Sequence, residues 1–164
     1  MRAALVVIGA GLVAMLLQTT VGPLVTPIVG VVPNVVLVLA VYLGLRHHGT
    51  GGVVGAFLLG YALDTFSGTL LGVQAAACTA AYVVAYLIAR TLWTEDGLPA
   101  MLVVFLAALV YAFVAHGVVV LVDRAWSGWG VVLRHGLVQA TIAALLTPWV
   151  FRFLRWERRL FRLA

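Results

Sequence analysis

Residues 51–72 read GGVVGAFLLGYALDTFSGTLLG, from Gly51 to Gly72. The stretch is apolar enough for lipid, yet it is rich in glycine and holds one carboxylate, Asp64. Glycine costs about 1 kcal/mol against alanine in a water-exposed helix. In a bilayer it has a different use: small residues let two helix backbones approach, and packing supplies the association energy that hydrophobicity cannot. Counting in fours from Gly52 gives Ala56, Gly60, Asp64, Gly68, Gly72, Ala76 and Ala80. This predicts a small-residue stripe within each helical segment, drifting slowly because the helix repeats every 3.6 residues. A carboxylate at mid-membrane costs roughly 2.5–3.5 kcal/mol on insertion scales. Asp64 therefore needs a protein or water partner, and its place at the far end of its span puts it near an interface.

The rest of the chain has the same character. It has 164 residues, 65% hydrophobic and 9% charged, with a mean hydropathy of +1.18. That composition excludes a soluble domain and reads as an all-α integral membrane protein. All ten basic residues are Arg, and they exceed the acidic ones by five. In a membrane chain this excess bears on topology and not on nucleic acid. The single Cys78 forms no intrachain disulfide and reads as a small core residue. Met1-Arg2 and the apolar run behind it lack a small-x-small cleavage site, so they read as an uncleaved first span.

Six spans are predicted, at 3–20, 33–46, 51–66, 70–89, 99–122 and 131–153, within one polytopic domain over 1–164. Between the first two, Val21–Pro33 is apolar but broken by Gly22, Pro23, Pro27, Gly30 and Pro33. It cannot be a regular helix, and it reads as a re-entrant or interfacial segment covered by neighbours. The second span opens at Pro33-Asn34, with Pro where helices accept it. It is short, about 13 residues or roughly 20 Å. Ser67-Gly68-Thr69 is read as a tight turn, and Thr147-Pro148 as a kink in the sixth span.

With six spans, both ends and the loops at 46–50 and 90–98 share one side. That side carries Arg2, Arg46, Arg90, Arg152, Arg155, Arg158, Arg159 and Arg162, against Arg124 and Arg134 opposite. Positive-inside reasoning then puts both termini in the cytoplasm and Asp64 toward the outer face. Residues 154–164 read as a basic amphipathic tail. Arg152, Arg155, Arg158, Arg159 and Arg162 give it affinity for an anionic lipid surface, at about 1 kcal/mol per Arg.

Catalytic motifs are absent from the sequence: there is no H-E-x-x-H, no G-x-S-x-G and no phosphate-binding loop. No cofactor motif is present, and the spacing of His116, His135, Asp64 and Asp123 favours no metal site. His47 and His48 extend a basic edge. His116 reads as a hydrogen-bonded structural histidine, two turns from Asp123. His135 and Gln139, one turn apart, are placed to bond across helices.

Pro33-Asn34, the apolar helix to Tyr42 and Arg46, and the run Gly60-x-x-x-Asp64-x-x-x-Gly68-x-x-x-Gly72 resemble MreD, the small polytopic subunit of the bacterial rod-shape system. The likeness is close over residues 30–90 and otherwise one of layout. The chain departs from the family pattern at Asn34, where Asp is usual, and at Thr69-Leu70, where Ser-Pro is common. The resemblance implies a non-enzymatic scaffold in the bacterial cytoplasmic (inner) membrane. Its implied partner is an MreC-like single-span protein, within a complex of a RodA-type synthase, a penicillin-binding transpeptidase and MreB that directs lateral peptidoglycan synthesis. Pro33, Asn34, Gly52, Gly55, Gly60, Asp64, Gly68 and Gly72 are the candidates for helix packing or partner binding, and in this reading Asp64 caps or bonds the backbone at the turn between spans three and four, or meets a polar group of the partner. The family also looks like the S components of energy-coupling-factor vitamin transporters, which implies an S-component-like bundle. That alternative would line an outward pocket with Asp64, Asn34, His116, His135 and Gln139.

Overall fold

The computed structural model describes Gly11 and residues 34–46, 49–68, 70–91, 97–123 and 129–163. Pro33, the first predicted span apart from Gly11, and the segment Val21–Pro33 lie outside the described residues, as do His47, His48 and Thr69. Five helices are described: α1 (Val35–Arg46), α2 (Thr50–Ser67), α3 (Val73–Thr91), α4 (Leu98–Asp123) and α5 (Trp129–Leu163). They correspond to predicted spans two to six. Among the described residues, three stretches are long and apolar enough to cross a membrane: Val73–Arg90, Leu98–Val122 and Leu133–Leu154. The structure is all-α, as composition requires, and a count of six helices goes beyond what the described residues contain.

Helix α1 is the most enclosed element. Val36 to Val41 are between 0% and 3% exposed, and the helix packs against all four others. At only 12 residues it is too short to span alone, so its place is inside the bundle. Asn34 caps it: Leu37 N–H donates to Asn34 Oδ1 at 3.0 Å.

Two glycines set how closely helices meet. A Cβ on Gly44 would lie 2.7 Å from the Tyr82 carbonyl oxygen and 2.8 Å from Ala85 Cβ, so α1 touches the backbone of α3 there. A Cβ on Gly60 would lie 2.5 Å from the Gln74 carbonyl oxygen and 2.6 Å from Ala75 Cα, so α2 touches the start of the same helix. Farther along, the rings of Tyr42 and Phe151 meet edge to face, 5.0 Å apart, and tie α1 to α5.

Helix α3 starts at Val73, three residues later than predicted, because Gly68 (φ 64°) ends α2 in a left-handed cap and Gly72 (φ 97°) turns the chain. Helix α5 runs unbroken through Pro148 and on into the basic tail, for 35 residues. Pro148 lacks the N–H that would have donated to the Ala144 carbonyl one turn earlier. At the neighbouring position, the buried Thr147 hydroxyl donates to the Ala143 carbonyl at 2.9 Å.

Candidate functional site: a polar network at one end of the bundle

Asn34, Asp64, Gln74 and Tyr111 come from four helices and meet where α1 and α3 begin and α2 ends, against the middle of α4. Asp64 is 1% exposed, in an otherwise apolar setting. Its Oδ2 accepts from Gly72 N–H at 2.9 Å and Ala75 N–H at 3.1 Å, and its Oδ1 accepts from Gln74 N–H at 3.0 Å. The carboxylate of one helix thus caps the next. Helix N-termini present unpaired donors and a positive dipole end, which is where a buried carboxylate is least costly. The close approach at Gly60, one turn earlier, is what brings Asp64 within reach of these donors. The protein partner that the sequence requires for Asp64 is this set of backbone donors at the turn between α2 and α3, which offset the cost of its burial.

The network continues through side chains. Gln74 Oε1 accepts from the Tyr111 hydroxyl. Tyr111 Oη accepts from Asn34 Nδ2 at 2.8 Å. Asn34 then closes onto α1 through its cap. A half-buried to buried chain of hydrogen bonds therefore crosses α1, α4, α3 and α2 in turn.

Beside it, a cleft of about 450 Å³ opens between the start of α3 and the last third of α4, lined by Leu70, Val73, Gln74, Ala115, His116 and Val119. The lining is mostly apolar. Gln74 contributes an amide whose carbonyl end is already held by Tyr111, and His116 places a buried Nε2 there. Of the residues the transporter reading would put in an outward pocket, His116 lines this cleft, and Asp64, Asn34, His135 and Gln139 do not. His135 is exposed on α5 and Gln139 is half-buried.

The other predicted residues fall in three groups. Gly52 and Gly60 are buried with Ala56 and Asp64, so the stripe on α2 faces the bundle interior of this chain. Gly55 is half-buried, in ordinary contact with Leu43 Cδ1 at 3.4 Å. Gly68 and Gly72 do not extend the stripe: a Cβ on either would meet open space, and their positive φ makes them turn residues. Arg152 is exposed on α5, and Arg155, Arg158, Arg159 and Arg162 follow on the same continuous helix. Among the described residues, no group of three or more His, Cys, Asp or Glu could hold a metal ion.

The sequence reading missed three residues. Gln74 carried a usable signal, as an amide inside an apolar run. Tyr111 carried a similar one, as a hydroxyl at the centre of the span 99–122, and Gly44 carried none that separates it from a lone helical glycine.

The family model for rod shape-determining protein MreD matches residues 2–156. The chain belongs to the MreD family. Neither the curated proteins nor the solved structures compared with it gave a match. Membership makes this chain a membrane protein with a role in rod-shape determination, as part of the shape-determining complex. The match takes in the capping network and both close helix crossings.

Proposed function

We propose that this MreD-family chain is a non-enzymatic membrane scaffold. It binds an MreC-like single-span partner and so helps a RodA-type synthase, a penicillin-binding transpeptidase and MreB to build lateral peptidoglycan. It sits in the bacterial cytoplasmic membrane with both termini inside. The observation that carries this reading is how the interior polar groups are used. Asp64 holds three backbone donors, and Asn34, Tyr111 and Gln74 hold one another. These are bonds that fix helix positions, which is what a scaffold needs.

The test is a mild-detergent pull-down from native membranes, followed by mass spectrometry. Recovery of a single-span protein with a periplasmic domain, alone or with a cell-wall synthase, supports the scaffold. Recovery of P-loop ATPases with a coupling membrane subunit overturns it in favour of a transporter S component.

A further inference from the structure

Helices α1, α3 and α5 run in the same direction, and each carries an arginine toward the same end of the bundle. Arg46 is the last residue of α1, Arg90 lies one residue before the end of α3, and Arg152 lies on α5. All three are exposed. Their helices are locked together just inside this end. The Gly44 approach to Tyr82, Ala85 and Tyr86 holds α1 on α3, two residues before Arg46 and one turn before Arg90. The Tyr42–Phe151 contact holds α1 on α5, one turn before Arg46 and one residue before Arg152. Helix α1 packs against both α3 and α5, which do not touch each other among the described residues, so the end of α1 with Arg46 lies between the helices that carry Arg90 and Arg152. The Arg90 guanidinium carbon stands 6.0 Å from the centre of the Tyr86 ring, which is itself stacked on Tyr82.

Arg90 and Arg152 lie at the ends of two apolar, membrane-length stretches, Val73–Arg90 and Leu133–Leu154, where a bilayer carries its phosphates, and Arg46 closes the shorter α1 packed between them. Guanidinium groups suit that chemistry, because their planar fork pairs two N–H groups with two phosphate oxygens. Basic clefts between spanning helices are recurrent sites for anionic lipid headgroups. The acidic residues nearest these arginines in the sequence are Glu95, Asp96 and Glu157. Set against Arg46, Arg90, Arg152 and the Arg-rich tail, they leave the end strongly positive.

We propose that Arg46, Arg90 and Arg152 form a site for the phosphate headgroup of one anionic phospholipid, seated against the ends of α1, α3 and α5. This is distinct from the diffuse attraction of the tail for a charged surface. It depends on three residues that the fold brings together from distant points of the chain.

The test is native mass spectrometry of the full chain with added phosphatidylglycerol, with phosphatidylcholine as the zwitterionic control. The variants are Arg46→Gln, Arg90→Gln and Arg152→Gln, singly and together, beside a tail variant of equal charge loss, Arg155→Gln/Arg158→Gln/Arg159→Gln. Each single change should weaken phosphatidylglycerol binding about fivefold, and the triple change on the order of a hundredfold. The tail variant should retain the bound lipid. Equal losses in the two triple variants would show general surface charge and overturn the site. Unchanged binding in the first triple variant would overturn it as well, and would assign the arginines to Glu95, Asp96, Glu157 or an acidic partner segment. The exposed positions make unfolding a small risk, and the single variants keep the test valid if the triple variant does not fold.

Discussion

Replacing Asp64 with Asn tests whether the carboxylate is the clamp between α2 and α3. The change removes one charge and almost no volume. Only one orientation of the new amide is tolerable. With its oxygen in the place of Oδ2, it keeps the bonds from Gly72 and Ala75, but its nitrogen then faces the Gln74 N–H at about the 3.0 Å of the present bond. One charge-assisted bond is lost, a donor faces a donor, and the two surviving bonds become neutral. Charge-assisted bonds are worth roughly 1.5–3 kcal/mol and neutral ones roughly 0.5–1.5 kcal/mol. Hydrogen bonds between spanning helices average only about 0.6 kcal/mol, because the unfolded chain in lipid also finds partners. Weighing the two scales, Asp64→Asn should cost about 2–3 kcal/mol. Asp64→Ala, which strands all three donors, should cost about 3–4 kcal/mol. For a chain of this length that is a fall in melting temperature of roughly 5–10 °C for Asn, with a larger fall for Ala. The single cysteine supplies the assay. Cys78 is buried on α3, one turn past Ala75, so a thiol-reactive fluorophore added during heating in lipid nanodiscs reads the opening of this region. An Asn variant that melts within about 1 °C of the parent would refute the clamp, because the loss of even one charge-assisted bond exceeds that shift.

Two further changes probe the same end. Gly60→Ala forces a methyl group to 2.5–2.8 Å from backbone atoms of Gln74 and Ala75, which cannot turn aside as a side chain would. The overpacking should cost about 1–3 kcal/mol and should also loosen the Asp64 bonds, so combining it with Asp64→Asn should cost less than the sum; strict additivity in the thiol assay would separate the two effects and sink the link. Tyr111→Phe leaves Asn34 Nδ2 and Gln74 Oε1 without the hydroxyl that joins them, at a cost of about 2 kcal/mol, while phosphatidylglycerol binding at the opposite end stays unchanged; a melting temperature equal to the parent's would show that the network is dispensable.

Much of the fold was legible because membrane helices carry their signal in plain composition. The apolar runs located the starts of all five described helices to within three residues and the ends of α1 to α4 to within two, whereas α5 runs on to Leu163, through the tail read as following the sixth span. The candidate site was legible only in part. Asp64 stood out as the one acid in an apolar stretch, and the small-residue count placed it correctly on the inward face of α2 with Gly52, Ala56 and Gly60. The same count then ran on past Ser67, where the helix ends. A period measured along one helix has no meaning across a turn: Gly68 has the turn role that Ser67-Gly68-Thr69 predicts, and Gly72, counted only as a packing candidate, is a turn residue as well. Gln74 and Tyr111 were harder for another reason. Each matters through its partner, and the two are brought together by the packing of α3 on α4, which no local pattern encodes.

The two close crossings also relocate the centre of the molecule. Both Gly44 and Gly60 press against α3, one near its end and one at its start. What receives them is backbone and alanine: Gly60 meets Ala75 and the Gln74 carbonyl, Gly44 meets Ala85 Cβ and the backbone of Tyr82 and Tyr86, and both alanines are fully buried. A glycine needs a small surface opposite it as much as it needs to be small itself, so the stripe on α2 was half of a pair whose other half reads as ordinary alanine content. Once the pair is formed inside the chain, the glycine face is occupied. The side of α2 that remains open carries Val54, Phe57, Leu58, Tyr61 and Phe66, with Phe57 and Tyr61 stacked 6.3 Å apart. A partner helix meeting α2 from the membrane would therefore pack on branched and aromatic side chains. On that face, substitutions at Phe57 and Tyr61 would test the contact without disturbing the bundle, whereas any change at Gly60 would act on the fold before it reached a partner.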